Sequence, residues 1–199
     1  LLLLAGTSLT QGGDWPATLG KALAACRGGP VQVERLARPG ATSAWGREAL
    51  ETRLAAPAPA PAMVLIEFTV NDARLHTGLP LAASRRLVRE MIVEVQQRGA
   101  IPILVTKSPV HGIAVLRRPF VAAYRRAWAD VAEASGAGFI ATLPAFTGPG
   151  RNDLHMTIPD GVHPTDAVMQ TRLVPVLVDA LAPLACPAET TLPASTKRG

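Results

Sequence analysis

The stretch LLLLAGTSLTQ, Leu1 to Gln11, decides how the chain is read. Four consecutive leucines followed by Ala5 and Gly6 predict a short, fully buried strand. The strand stops abruptly, because Gly6 and the polar Thr7, Ser8 and Thr10 cannot continue a core strand. Ser8 then falls in the turn just past the strand end. In a layered α/β fold ligands bind there, outside the carboxyl ends of parallel strands, and a helix starting nearby aims backbone N–H groups at the same place. On this stretch alone two readings stand: a serine placed for chemistry, or one that caps a turn or helix.

Outward from this turn, helical and strand patterns alternate. Asp14 is placed to cap a helix running through Trp15, Leu19 and Leu23 to about Cys26, stopped by Gly28, Gly29 and Pro30. Val31, Val33 and Leu36 mark a second strand, and Arg38 to Ser43 reads as a turn centred on Gly40 before a helix from about Ser43 to Leu54. Alternating Ala and Pro from Pro57 to Ala62 make a stiff surface connection, not a domain boundary. MVLIEF, Met63 to Phe68, is a third strand that breaks at Thr69 to Asp72. After a loop over 73 to 80, Leu87, Met91 and Val95 share one face of a helix from about Leu81 to Arg98, with Gly99 as its stop.

Ile101 to Thr106 is the fourth strand, followed by a loop with Lys107 and His111, a helix from about Arg117 to Ser135, and a strand around Gly138 to Thr142. A long irregular stretch, Leu143 to Pro159, leads to DGVHPTD, Asp160 to Asp166, and a final helix from about Thr165 to Leu184. This alternation predicts a mainly parallel sheet with helices on both faces.

The 199 residues suit one domain, taken as 1–186, with a polar tail over 187–199. Because 48% of residues are hydrophobic and no run approaches the ~18 apolar residues of a membrane span, a soluble globular chain is expected. The net charge of +5 comes from arginines scattered along helix-like segments with few aromatics between them. That pattern fits solvated helix faces and predicts no nucleic-acid partner. The first residue, not a Met, already belongs to the expected strand, so this end leaves localisation open. Cys26 and Cys186 fit neither a zinc site nor a redox pair, and are either free or joined to each other.

Polar residues gather at strand ends: Ser8, Gly40, Asn71, and Asp160 with His163 before the last helix. Right-handed crossovers in a parallel sheet bring such ends to one edge. There Ser8 needs a base to take its proton, which His163 supplies if Asp160 holds its other ring nitrogen. Gly161 gives that turn freedom and Pro164 restricts its exit. The backbone N–H groups of Ser8 and Gly40 and the side-chain amide of Asn71 are candidate donors to a developing oxyanion. Asp160 alone could instead cap the last helix, and Asn71 could be a turn residue. No metal cluster or cofactor is indicated.

Together these residues resemble the SGNH hydrolases, also called GDSL esterases and lipases. GTSL at Gly6 to Leu9 resembles the nucleophile block, PGATS at Pro39 to Ser43 the second block, TVND at Thr69 to Asp72 the third, and DGVH at Asp160 to His163 the last. The resemblance implies a three-layer α/β/α, flavodoxin-like fold with a central five-stranded sheet. It implies a catalytic triad of Ser8, Asp160 and His163 and an oxyanion hole from Ser8, Gly40 and Asn71. Two departures stand out. Thr7 replaces the family's usual Asp, which changes how the turn is held, and Thr69 replaces a Gly, which would add a side chain near the oxyanion site. The absence of GxSxG disfavours an α/β-hydrolase.

The implied activity is serine-dependent hydrolysis of short-chain acyl esters, such as O-acetyl groups of carbohydrate. Small-molecule or polysaccharide esters are the expected partners, with oligomeric state open. Alternatives are acyl transfer to polysaccharide, a lipid or thioester hydrolase, or a non-catalytic carbohydrate-binding module. His76, His111, His155, Lys107 and Arg74 are further candidates to line the groove, or are plain loop residues. In this fold the first and last helices pack on one side of the sheet. A Cys26–Cys186 disulfide is therefore one expectation, implying a periplasmic or secreted location; two unrelated thiols are the other.

Overall fold

The leucine run forms the second strand position of a five-stranded sheet in a computed structural model that describes residues 1–147 and 153–186. The strands are β1 Leu2–Gly6, β2 Val33–Ala37, β3 Met63–Ile66, β4 Ile101–Thr106 and β5 Gly138–Ala141. Every pairing is parallel, and the order is β2-β1-β3-β4-β5. The chain moves from β1 outward to β2 and then crosses to β3 on the other side. The β1/β3 boundary is thus a topological switch point, with a crevice beyond the carboxyl ends of both strands.

Alternation across the pleat explains why all of β1 is apolar. Leu2 and Leu4 point into one core with Leu19 and Leu23 of the helix α2, which follows the one-turn α1 Ser8–Gln11 and spans Trp15–Arg27. The same core takes Leu173, Leu177 and Leu181 of the last helix. Leu3 and Ala5 point to the opposite core, with Leu50 of α3 Ser43–Ala55 and with Val88, Ile92 and Val95 of α5 Leu81–Gln97. Between those two helices lies α4 Thr69–Asp72, one turn long. Trp128 of α6 Val121–Ala134 completes that layer. Fully burying each such leucine is worth about 1.5–3 kcal/mol, so this run anchors both faces at once.

Three expectations shift. The helix expected from Arg117 begins at Val121, because Pro119 disfavours helical backbone at Arg118, and residues Gly112–Arg117 form a separate 3-10 turn. The third strand ends at Ile66, not Phe68, with Glu67 buried in the interior, and the strand-end turn Thr69–Asp72 is one turn of helix. The stretch expected to be irregular contains short helices at Leu143–Thr147 and Leu154–Thr157.

The last helix runs from Asp166 to Ala185 and passes a π-turn at Met169–Leu173. By length and composition alone it could cross a membrane, but Leu173, Val174, Leu177 and Leu181 pack into the core against α2. At the ends of these two packed helices, Cys26 and Cys186 are joined in a disulfide across a sequence separation of 160. The expected polar tail, 187–199, lies outside the described residues.

Candidate active site

Ser8 is the first residue of α1, so its backbone N–H has no acceptor within that helix. Thr7, the N-cap, accepts from Leu9 N at 3.3 Å and fixes the abrupt turn out of β1. Across the sheet edge, Ser8 Oγ lies 2.8 Å from His163 Nε2, and His163 Nδ1 lies 2.5 Å from Asp160 Oδ2. With the proton on Nδ1 donated to Asp160, Nε2 is left to accept from the Ser8 hydroxyl.

The turn carrying Asp160 and His163 is built for this contact. Asp160 Oδ1 accepts from the backbone N–H groups of Val162 at 2.9 Å and His163 at 2.7 Å. Gly161 sits at φ +78°, and a Cβ there would lie 2.4 Å from the carbonyl oxygen of His111, so only glycine fits. Partial burial works against the Asp160 charge, but the hydrogen bonds from His163 and Val162 and the adjacent imidazole outweigh it. They hold the carboxyl down to about 2. A carboxylate that stays ionised can stabilise an imidazolium beside it.

Gly40 and Asn71 reach the same cleft, of about 410 Å³, with Ser8, Asp160 and His163. Gly40 has φ +75°, which turns the chain between β2 and α3 at little cost. One Asn71 amide hydrogen goes to Ala41 O at 2.9 Å, which fixes the side chain and leaves the other hydrogen for the cleft. Next to it, the fully buried Asp72 accepts from Ser43 N at 2.8 Å, from the Ser43 hydroxyl, and from Ser84 Oγ at 2.6 Å. Trp128 Nε1 donates to Ser84 Oγ at 2.9 Å. Asp72 therefore ties α4 to α3, α5 and α6, and so steadies Asn71.

A hydroxyl, an imidazole and a carboxylate in hydrogen-bonded sequence beside a set of N–H donors can carry out acyl transfer. The model of the GDSL-like lipase/acylhydrolase family matches residues 4–171, which include all five of these positions. The chain belongs to that family. Among solved structures, TesA is similar at 28% identity over 92% of this chain and 98% of that one, with a TM-score of 0.73. The lipase/acylhydrolase from Enterococcus faecalis shares 23% identity over 94% of this chain and 98% of that one, with a TM-score of 0.80. A catalytic mutant of Axe2, an acetylxylan esterase from Geobacillus stearothermophilus, shares 18% over 90% and 93%, with a TM-score of 0.69. No curated protein matches the chain. Family and fold together make it a GDSL-type esterase.

The other candidates separate. Arg74 lines the cleft, and His76 lies with it beside an adjoining cavity. His111 instead braces the loop through its Nε2 and Ile158 O at 2.8 Å, and His155 is exposed outside the cleft. Lys107 is buried, not groove-lining: its Nζ donates to Thr10 Oγ1 at 2.5 Å and lies 4.4 Å from the Trp15 ring centroid. Thr69 also differs from expectation, since it is fully buried, absent from the cleft wall, and leaves its hydroxyl without a partner.

Glu67 is the residue the sequence reading missed. Its Oε2 accepts from Thr7 Oγ1 at 2.9 Å, Thr7 N at 3.3 Å and Thr10 Oγ1 at 3.4 Å, and lies 3.9 Å from Lys107 Nζ. Burial pushes the Glu67 carboxyl up, against Lys107 and the threonines, and pushes Lys107 down to about 8 against the pull of Glu67. The available signal was a carboxylate inside the apolar strand MVLIEF, which requires a buried partner.

Proposed function

We propose that this GDSL-type esterase hydrolyses short-chain acyl esters, with O-acetyl groups of carbohydrate as the leading class, through an acyl-enzyme formed on Ser8 within the unit 1–186. The observation that carries the reading is the continuous contact from Ser8 Oγ through His163 to Asp160. Ser8 Oγ attacks the acyl carbon while His163 Nε2 takes its proton. The ester C–O bond then breaks as His163 returns that proton to the departing alcohol. Water repeats the sequence on the acyl-serine, releasing the acid and restoring Ser8. The N–H groups of Ser8 and Gly40 and the Asn71 amide receive the oxyanion in both halves.

A short acyl group suits a cleft of about 410 Å³ that is also open to solvent, and the fold shared with an acetylxylan esterase agrees with a carbohydrate ester. The test is hydrolysis of nitrophenyl esters from acetyl to dodecanoyl by the wild type and Ser8→Ala. Activity that falls with chain length and disappears with Ser8 supports the reading. Activity that survives Ser8→Ala overturns it.

A further inference from the structure

Part of the cleft wall is cationic. Arg74, Arg117 and Arg118 line it together with Ser8, Asn71 and His163. Arg74 and Arg117 also border a second cavity of about 260 Å³ with Leu75, His76 and Thr77, so they stand between the reacting serine and further binding space. The two loops are joined by Leu75 N donating to Arg117 O at 3.0 Å. Arg118 is buried beside the cleft, with its Nε donating to Val70 O at 2.9 Å.

Arg53, Arg86, Arg98 and Arg172 each meet a carboxylate within 4.0 Å. Among the described residues, no carboxylate lies within that distance of Arg74, Arg117 or Arg118. Asp160, the acid in the same cleft, is already engaged by His163. Burial first, and then the like charges of Arg74 and Arg117, push the Arg118 guanidinium below its ordinary range, against the smaller opposing pull of the Asp160 carboxylate. Three neighbouring guanidinium groups share one carboxylate, Asp160, which His163 already engages, and a bound anion relieves the remaining repulsion while gaining charge-assisted hydrogen bonds.

We infer that Arg74 and Arg117, with the neighbouring Arg118, form an anion subsite beside Ser8, so that the ester this protein takes carries a carboxylate or phosphate group. This rests on the hydrolase reading above and narrows it to esters of acidic alcohols or acidic acyl groups, an O-acetylated acidic sugar being the simplest example. The subsite selects substrate by charge. It holds the anionic group in the outer cleft while the carbonyl sits between Ser8 and the oxyanion donors.

The experiment compares kcat/KM for matched esters: O-acetylated methyl glucoside against the glucuronide and the glucose 6-phosphate, and nitrophenyl acetate against the nitrophenyl hemisuccinate. The first set places charge on the alcohol and the second on the acyl group. The expected result is a preference of about tenfold or more for an anionic member. It shrinks in about 0.5 M salt, where the Debye length is only a few ångströms, and is lost in Arg74→Gln/Arg117→Gln. Equal rates for neutral and anionic esters, or a preference unchanged in the double variant, overturn the subsite. Calorimetric binding of unacetylated glucuronate, glucose 6-phosphate and succinate separates the two claims without turnover. Binding that weakens about tenfold in the double variant upholds the subsite even if no ester is cleaved, whereas equal affinity, or no binding to either protein, overturns it.

Discussion

Thr7 Oγ1 donates to Glu67 Oε2 at 2.9 Å, so the residue before Ser8 is tied to the end of β3 inside the fold. Through these contacts from Thr7 N and Thr7 Oγ1, Glu67 helps fix the turn out of β1. Glu67→Ala removes the acceptor for Thr7 and leaves the Lys107 ammonium buried without its carboxylate. We expect destabilisation of about 3–5 kcal/mol, typical of breaking a buried pair. Adding Lys107→Met should recover part of it, because the unpaired charge is then gone. Urea unfolding of the single and double variants checks both statements.

Asn71→Ala should lower kcat about 100–1,000-fold with a smaller change in KM, as expected for a donor used mainly in the transition state. The Ala41 carbonyl loses its partner as well, so thermal unfolding should show a modest loss beside the kinetic one.

Asp160→Asn should reduce kcat by about 10³-fold or more, because an amide no longer holds His163 in the required tautomer. The exchange should also change the pH dependence of stability. With its folded value at about 2 against an ordinary 3.8, Asp160 contributes fully above the ordinary value and loses that contribution as pH falls through the folded one. Stability measured between those limits should therefore fall less steeply with acid in Asp160→Asn than in the wild type.

The Cys26–Cys186 bond closes a loop spanning nearly the whole fold. The unreduced, unfolded protein should contain no free thiols among its two cysteines. Reduction should cost about 2–5 kcal/mol, read from unfolding midpoints with and without reductant. Such a bond suits an oxidising compartment. Two free thiols before reduction would contradict this account.

The sheet and the convergence of Ser8, Gly40, Asn71, Asp160 and His163 were legible because each depends on local signals: apolar runs broken by polar turns, and glycines where the chain must bend. What escaped depends on contacts distant in sequence. Glu67 gives no local sign of meeting Thr7, 60 positions away, or Lys107. Lys107, which follows β4, reads as either a groove candidate or a plain loop residue, yet its side chain is buried with its ammonium over the Trp15 ring. The start of α6 was misplaced because the apolar spacing continues through Pro119, while the backbone does not. Arg117 and Arg118 then appeared to lie on a helix face, which concealed their place in the cleft.

The central claim is that Ser8 becomes acylated, and rapid acid quench of a nitrophenyl acetate reaction followed by peptide mass spectrometry tests it most directly. The account predicts one acetyl group on the peptide containing Ser8 during turnover, and none in Ser8→Ala. Continued ester turnover without an acetylated Ser8 peptide, with the variant as active as the wild type, would contradict it.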